Sequence, residues 1–206
     1  MILLNNVDDV VEQLNNNKIV VLPTETCYIF AANIFNESLI YRIFELKKRD
    51  KVPIGILIKD FRMMKNIAFV EPWHIKLLEY FWPGPLSIVL KKTNIVPNIL
   101  TAGFDTVSMR ISPHEVIKNI FEFIDFPLTA TSANIHGMPT IYSVDDFYDQ
   151  FAKSNLKDIF IYNYGDLKKE SPSTIVDLTC TPPKLLREGP INFELFMQKY
   201  SLLNIS

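Results

Sequence analysis

The chain is expected to fold as a single α/β domain, and three features of the sequence carry that expectation. Short apolar runs such as Ile19-Val20-Val21-Leu22 alternate with stretches whose apolar residues recur at helical spacing. The 206 residues contain no composition break that would serve as a linker, so one domain over 1–206 is the reading. Finally, two of the apolar runs end abruptly in small hydroxyl-bearing residues, as strands do where an open α/β sheet meets a ligand.

In chain order, Val7, Val10, Val11 and Leu14 fall on one helical face behind Asp8 and Asp9, which suit a first turn. The strand Ile19 to Leu22 stops at Pro23, which fixes φ and cannot donate to a ladder. Thr24, Glu25 and Thr26 follow, then a second strand from Tyr28 to Ile34. Asn36 or Ser38 caps a helix carrying Leu39, Ile40, Ile43, Phe44 and Leu46 that ends in Lys47-Lys48-Arg49. Those cations either complement the helix dipole or, together with the hydroxyls of the Pro23–Thr26 turn, face a polyanionic ligand. Ile54 to Ile58 is a short strand. Asp60 opens a helix through Met63 and Met64, and Pro72 opens another with Trp73, Leu77, Leu78 and Phe81. Pro83-Gly84-Pro85 stops it, and Leu86 to Leu90 is a β-run.

Thr106 to Ile111 alternates with period two, so Val107, Met109 and Ile111 share the core face and Thr106, Ser108 and Arg110 the polar one. Arg110 is then either a solvated residue of an edge strand or a functional cation. After a helix from Pro113 to Phe123, the strand Pro127 to Ala130 breaks into Thr131-Ser132-Ala133-Asn134, either a simple turn or a second ligand-facing one. Asp145 to Ala152 is helical, Ile159 to Tyr162 a strand, Ser173 to Leu178 and Lys184 to Arg187 two strands around Pro182-Pro183, and Phe193, Phe196 and Tyr200 mark the last helix.

Composition narrows the function. An apolar fraction of 48% supplies a core, while no run approaches the length of a membrane span. The first six residues lack a basic n-region and a cleavage site, so the expected location is cytoplasmic, with no membrane. A formal charge of -2 and a pI near 5.9 do not suit a coat for nucleic acid. Cys27 and Cys180 form no C-x-x-C pair and are expected to be buried thiols, and His74, His114 and His136 share no ligand spacing, so no tightly held metal is expected. None of the six glycines builds a phosphate-binding loop, so a bound nucleotide would be gripped by side chains and helix ends.

The motifs gain weight from their order. Pro23-Thr24-Glu25-Thr26-x-Tyr28, Lys47-x-Arg49, Trp82-Pro83-Gly84-Pro85, Val107-x-Met109-Arg110, Ser132-x-Asn134-x-x-Gly137-x-Pro139, Ser173-Thr174-x-Val176-Asp177 and Leu186-Arg187-x-Gly189 together resemble the YrdC/TsaC family of L-threonylcarbamoyladenylate synthases, over about 19–189. The resemblance implies a strongly twisted mixed sheet, flanked by helices, around a concave basic cavity. It also implies synthesis of L-threonylcarbamoyl-AMP and diphosphate from ATP, L-threonine and bicarbonate. Mg²⁺ arrives with ATP, and a downstream threonylcarbamoyl-transferase complex modifies the adenosine beside the anticodon of tRNA, which the chain itself would bind weakly.

Carried onto this sequence, the family's catalytic positions fall on Lys47, Arg49, Ser132 and Asn134 around the phosphates. Thr106, Thr140 and Arg187 join Arg49, Ser132 and Asn134 on the nucleotide. Thr24, Thr26, Arg110, Ala130 and Ser173 take threonine, with Arg110 on its carboxylate. The chain departs from the family pattern at Ile29, Phe30 and Ala31, where small residues are usual and where the larger ones would narrow the cavity floor. It departs again at Asp50-Lys51-Val52-Pro53, which lacks the usual asparagine, and at Leu57, where some members carry histidine. Two other readings compete with the synthase: a non-catalytic RNA-binding or assembly module, and a hydrolase of carbamoyl or acyl adenylates.

Overall fold

The computed structural model describes residues 1–48 and 52–203. Among them lie eleven strands and seven helices. The strands are β1 (Ile2–Leu4), β2 (Ile19–Pro23), β3 (Tyr28–Ala31), β4 (Ile56–Leu57), β5 (Leu86–Lys91), β6 (Thr106–Arg110), β7 (Leu128–Thr129), β8 (Thr131–Ser132), β9 (Ile159–Tyr162), β10 (Thr174–Asp177) and β11 (Lys184–Arg187). The helices are α1 (Val7–Asn15), α2 (Glu37–Lys47), α3 (Phe61–Ile67), α4 (Pro72–Leu78), α5 (Glu115–Phe123), α6 (Val144–Phe151) and α7 (Phe193–Ser201).

The expected α/β architecture is present, but one mixed sheet becomes two. The first runs β1-β9-β2-β3-β8 and the second β11-β10-β5-β6-β4-β7. Each mixes parallel pairs (β1 with β9, β10 with β5) with antiparallel ones (β2 with β3, β5 with β6). The sheets meet where the chain passes from β7 to β8. There Thr129 donates its amide to Ala32 O at 2.9 Å while Ala130 donates to Gly55 O at 2.7 Å, so consecutive residues pair with opposite sheets.

Local chemistry sets the helix ends. Asn6, Asp60, Ser143 and Asn192 each accept the amide three residues on, the N-cap geometry that satisfies an orphan donor. The apolar stripes of α1, α5 and α7 sink Leu14, Ile120 and Phe196 into the core. Phe30 of β3 meets Phe147 and Phe151 of α6 edge-on, with ring centroids 5.9 and 5.8 Å away.

Several expectations shift. β1 was not anticipated, because three residues carry too little pattern to reveal a parallel pairing with β9. β3 ends at Ala31 rather than Ile34, and only Ile56–Leu57 of the Ile54 to Ile58 run pairs as a strand. Thr131 and Ser132 form β8 against Phe30 and Ile29 instead of a free turn. Cys180 is exposed, not buried, since it follows β10 in the turn toward β11. No helix of the described residues is long and apolar enough to cross a membrane.

Candidate active site

A hollow of about 540 Å³ opens between the two sheets, within the usual size range of small-molecule sites. The alternation of β6 builds one wall: Thr106, Ser108 and Arg110 line the hollow, while Val107 and Met109 are buried on the other face. β5 adds Ser87 by the same alternation, opposite the core residues Leu86, Ile88 and Leu90. The turn after β2 contributes Thr26, the crossing from β7 to β8 contributes Ala130 and Ser132, and Thr140, Ser173 and Arg187 complete the polar groups expected from the sequence.

Three expected residues lie off the wall. Thr24 is buried behind Thr26, where its Oγ1 accepts the amides of Thr26 at 3.3 Å and Cys27 at 3.2 Å and donates to Cys27 O at 2.8 Å. Lys47, expected to face the cavity, is 2% exposed and instead donates to the carbonyl oxygens of Ser132 and Asn134, the latter at 2.9 Å. The reason is that β8 is only two residues long, so the carbonyls at its end and just beyond it have run out of ladder partners, and a carbonyl taken from water must be paired. Asn134 turns its amide inward, donating to Met138 O at 2.7 Å and Ile135 O at 3.1 Å and accepting the Ser132 hydroxyl on Oδ1. Arg49 lies outside the described residues.

The electrostatics are concentrated at two points. Arg110, 5% exposed, forms an ion pair with Glu25 and sits 3.4 Å from the hydroxyls of both Thr24 and Thr26. Arg187 donates to Ser173 O at 2.9 and 2.8 Å and to Ser173 Oγ at 3.1 Å. That approach requires Gly189, because a Cβ there would collide with the backbone of Pro172, Ser173 and Thr174. Desolvation, followed by the positive field of Arg110, holds the Arg187 guanidinium below its ordinary pKa. Among the described residues the remaining lining is mostly hydroxyl and apolar with one carboxylate, Glu170, and its two guanidiniums are Arg187 and the Glu25-paired Arg110.

Burial raises the pKa of the Cys27 thiol, and burial pushes the Tyr28 phenol up to about 12 while its hydroxyl donates to Gly165 O at 2.8 Å. Both therefore stay protonated and act as packing groups rather than nucleophiles. Ile29, where small residues were usual in the resemblance, lines the hollow; Leu57 pairs with Arg110 in register and is fully buried. No group of three or more His, Cys, Asp and Glu among the described residues could hold a metal.

Sequence reasoning missed Glu25 as the partner of Arg110 and Ser87 as the partner of Ser173, 3.0 Å away between hydroxyls. The alternation of β5 was enough to place Ser87 on the polar face. Nothing local pointed from Glu25 to Arg110.

A family model for Sua5/YciO/YrdC, described as "Telomere recombination", matches residues 12–189. The chain is 37% identical over 187 residues to the threonylcarbamoyl-AMP synthase of Pyrococcus abyssi, covering 88% of this chain and 53% of that protein. It is 29% identical over 174 residues to the threonylcarbamoyl-AMP synthase of Buchnera aphidicola, covering 82% and 88%. The crystal structure of P. abyssi Sua5 complexed with L-threonine superposes with a TM-score of 0.86 at 33% identity, over 96% of this chain and 60% of that one. E. coli YciO shares the fold, with a TM-score of 0.81 at 24% identity over 95% and 97%. The chain thus spans about half the length of the P. abyssi synthase. Matched by the family model over most of its length and folded as these relatives fold, the chain belongs to the Sua5/YciO/YrdC family.

Proposed function

We propose that this chain makes L-threonylcarbamoyl-AMP from L-threonine, bicarbonate and ATP, releasing diphosphate. The observation that carries the proposal is the shared hollow, in which Arg110 and Thr26 stand on the same cavity as Thr106, Ser132, Thr140 and Arg187. An amino acid and a nucleotide thereby have polar groups within one enclosure.

The chemistry needs two anions to meet. Threonine's amine adds to bicarbonate with loss of water, giving an N-carboxylate, and one of its oxygens then attacks the α-phosphorus of ATP. The phosphorus–oxygen bond to diphosphate breaks as the new one forms. Arg110 holds the threonine carboxylate, for which a planar guanidinium is better shaped than an ammonium. Thr26, Ala130 and Ser173 surround the rest of the amino acid. Ser132, Thr106, Thr140 and Arg187 hold the nucleotide, with Arg187 offsetting the charge that builds between the two anions. Lys47 and Asn134 shape the turn that presents Ser132, and Arg49 is proposed to reach the phosphates. Mg²⁺ enters as part of the ATP substrate. Held this way, the reactants gain on the order of several kcal/mol from positioning alone. The product is proposed to pass to a threonylcarbamoyl-transferase complex that modifies the adenosine beside the anticodon of tRNA, with weak tRNA binding by this chain.

Diphosphate release from ATP tests the reading directly. Release that depends on both threonine and bicarbonate, with threonylcarbamoyl-AMP recovered, is the expected result. Release at background with both present overturns it.

A further inference from the structure

The two arginines of the hollow differ in what neutralises them. Among the described residues Arg187 has only the carbonyl and hydroxyl of Ser173 as hydrogen-bond acceptors and forms no ion pair. Arg110 has a carboxylate. Glu25 is not itself on the wall of the hollow, and its side chain is 17% exposed behind Arg110. Both of its oxygens are engaged: one takes Arg110 Nη1 and the other the hydroxyl of Ser112, whose oxygen in turn accepts the amide of His114 at 3.2 Å. The turn that carries Glu25 is fixed by Thr24, so the carboxylate has little freedom to swing away.

This arrangement has a consequence for which anion each arginine accepts. A polyphosphate is drawn to a guanidinium and repelled by an adjoining carboxylate, both in proportion to its charge, so at a neutralised pair the attraction largely cancels. An amino acid brings one carboxylate and its own amine, which the carboxylate of the pair attracts when protonated. We propose that Glu25 is a specificity-determining residue: by neutralising Arg110 from behind, it keeps phosphates off the guanidinium that receives the amino acid and leaves them to Arg187. Selectivity arises from rejecting the wrong anion as much as from gripping the right one. The inference rests on the amino acid and nucleotide sharing the hollow, as proposed above.

The test uses pyrophosphate as the probe and calorimetric titration of the full chain. Glu25→Gln keeps the shape and removes the charge, and it is expected to bind pyrophosphate about tenfold tighter than the wild type. Adding Arg110→Ala to that variant returns the affinity to the wild-type level. Ser112→Ala breaks the same network while keeping the charge, and stays within about twofold of the wild type. An unchanged affinity in Glu25→Gln, or an equal gain in Ser112→Ala, overturns the proposal. A measurement without any variant covers the case in which Glu25→Gln fails to fold: in the wild type, pyrophosphate at concentrations that displace ATP leaves threonine bound, and competition with threonine overturns the proposal. The pyrophosphate titrations need no turnover, so their failure is separate from failure of the diphosphate-release assay.

Discussion

The stretch that follows β2 and the one that follows β7 read alike, each a buried strand breaking into hydroxyls, yet they reach opposite chemical states. In the first, Thr24 takes the backbone amides of Thr26 and Cys27 on its own hydroxyl, which leaves the Thr26 side chain on the hollow beside Arg110. In the second, Asn134 closes its amide onto Ile135 and Met138, and Lys47 is drawn in to pair the carbonyls of Ser132 and Asn134, so Thr131 and Ser132 reach the hollow and Asn134 does not. A polar side chain at a strand exit is open to a ligand only when the backbone around it is satisfied some other way. The first turn supplies its own acceptor; the second depends on a cation from a distant helix.

The largest effect is expected at the first turn. Arg110→Ala leaves the half-buried carboxylate of Glu25 without its cation, and is expected to cost about 2–3 kcal/mol of stability by chemical denaturation and to abolish threonine-dependent diphosphate release. A stable Arg110→Ala protein with full turnover would remove the contrast between the turns. Lys47→Met comes next. Losing a buried ammonium that serves several acceptors is expected to cost about 3 kcal/mol and to raise KM for ATP through a displaced Ser132. Wild-type thermal stability with loss of ATP binding alone would mean that Lys47 acts on phosphate and that the second turn is as open as the first.

Within the first turn, Thr24→Val and Thr26→Val separate backbone support from ligand contact. The first is expected to lower stability by about 1–2 kcal/mol as buried amides lose their acceptor, and the second to raise KM for threonine with little change in melting temperature. The smallest effect concerns the thiols. Burial raises the Cys27 pKa, so at mildly alkaline pH less of it is thiolate, and iodoacetamide is expected to label Cys180 first without loss of activity. Peptide mapping after short exposure checks the order.

Much of the architecture was legible from local pattern. The helical stripe of α5, Val116, Ile117, Ile120 and Phe121, is buried as its spacing requires, and β6 shows Met109 inward and Arg110 toward the hollow as its alternation requires. The strands that escaped notice were β1 and β8, three and two residues long, which owe their existence to pairing with β9 and β3 rather than to any pattern of their own. Among the site residues, those placed by alternation within a strand arrived where expected. Lys47 and Asn134 did not, because their side chains answer to unpaired carbonyls elsewhere in the fold.

The sequence alone determined which face of each strand is polar, since side chains alternate along an extended backbone whatever the rest of the molecule does. It therefore placed Thr106 and Arg110 together on the polar face of one strand. Only the tertiary structure decided which cations remain open to a ligand. That outcome depends on acceptors brought from far along the chain: Glu25 to Arg110, Ser173 to Arg187, and the Ser132 and Asn134 carbonyls to Lys47. No local periodicity encodes such pairings, because they follow from how two sheets are set against each other.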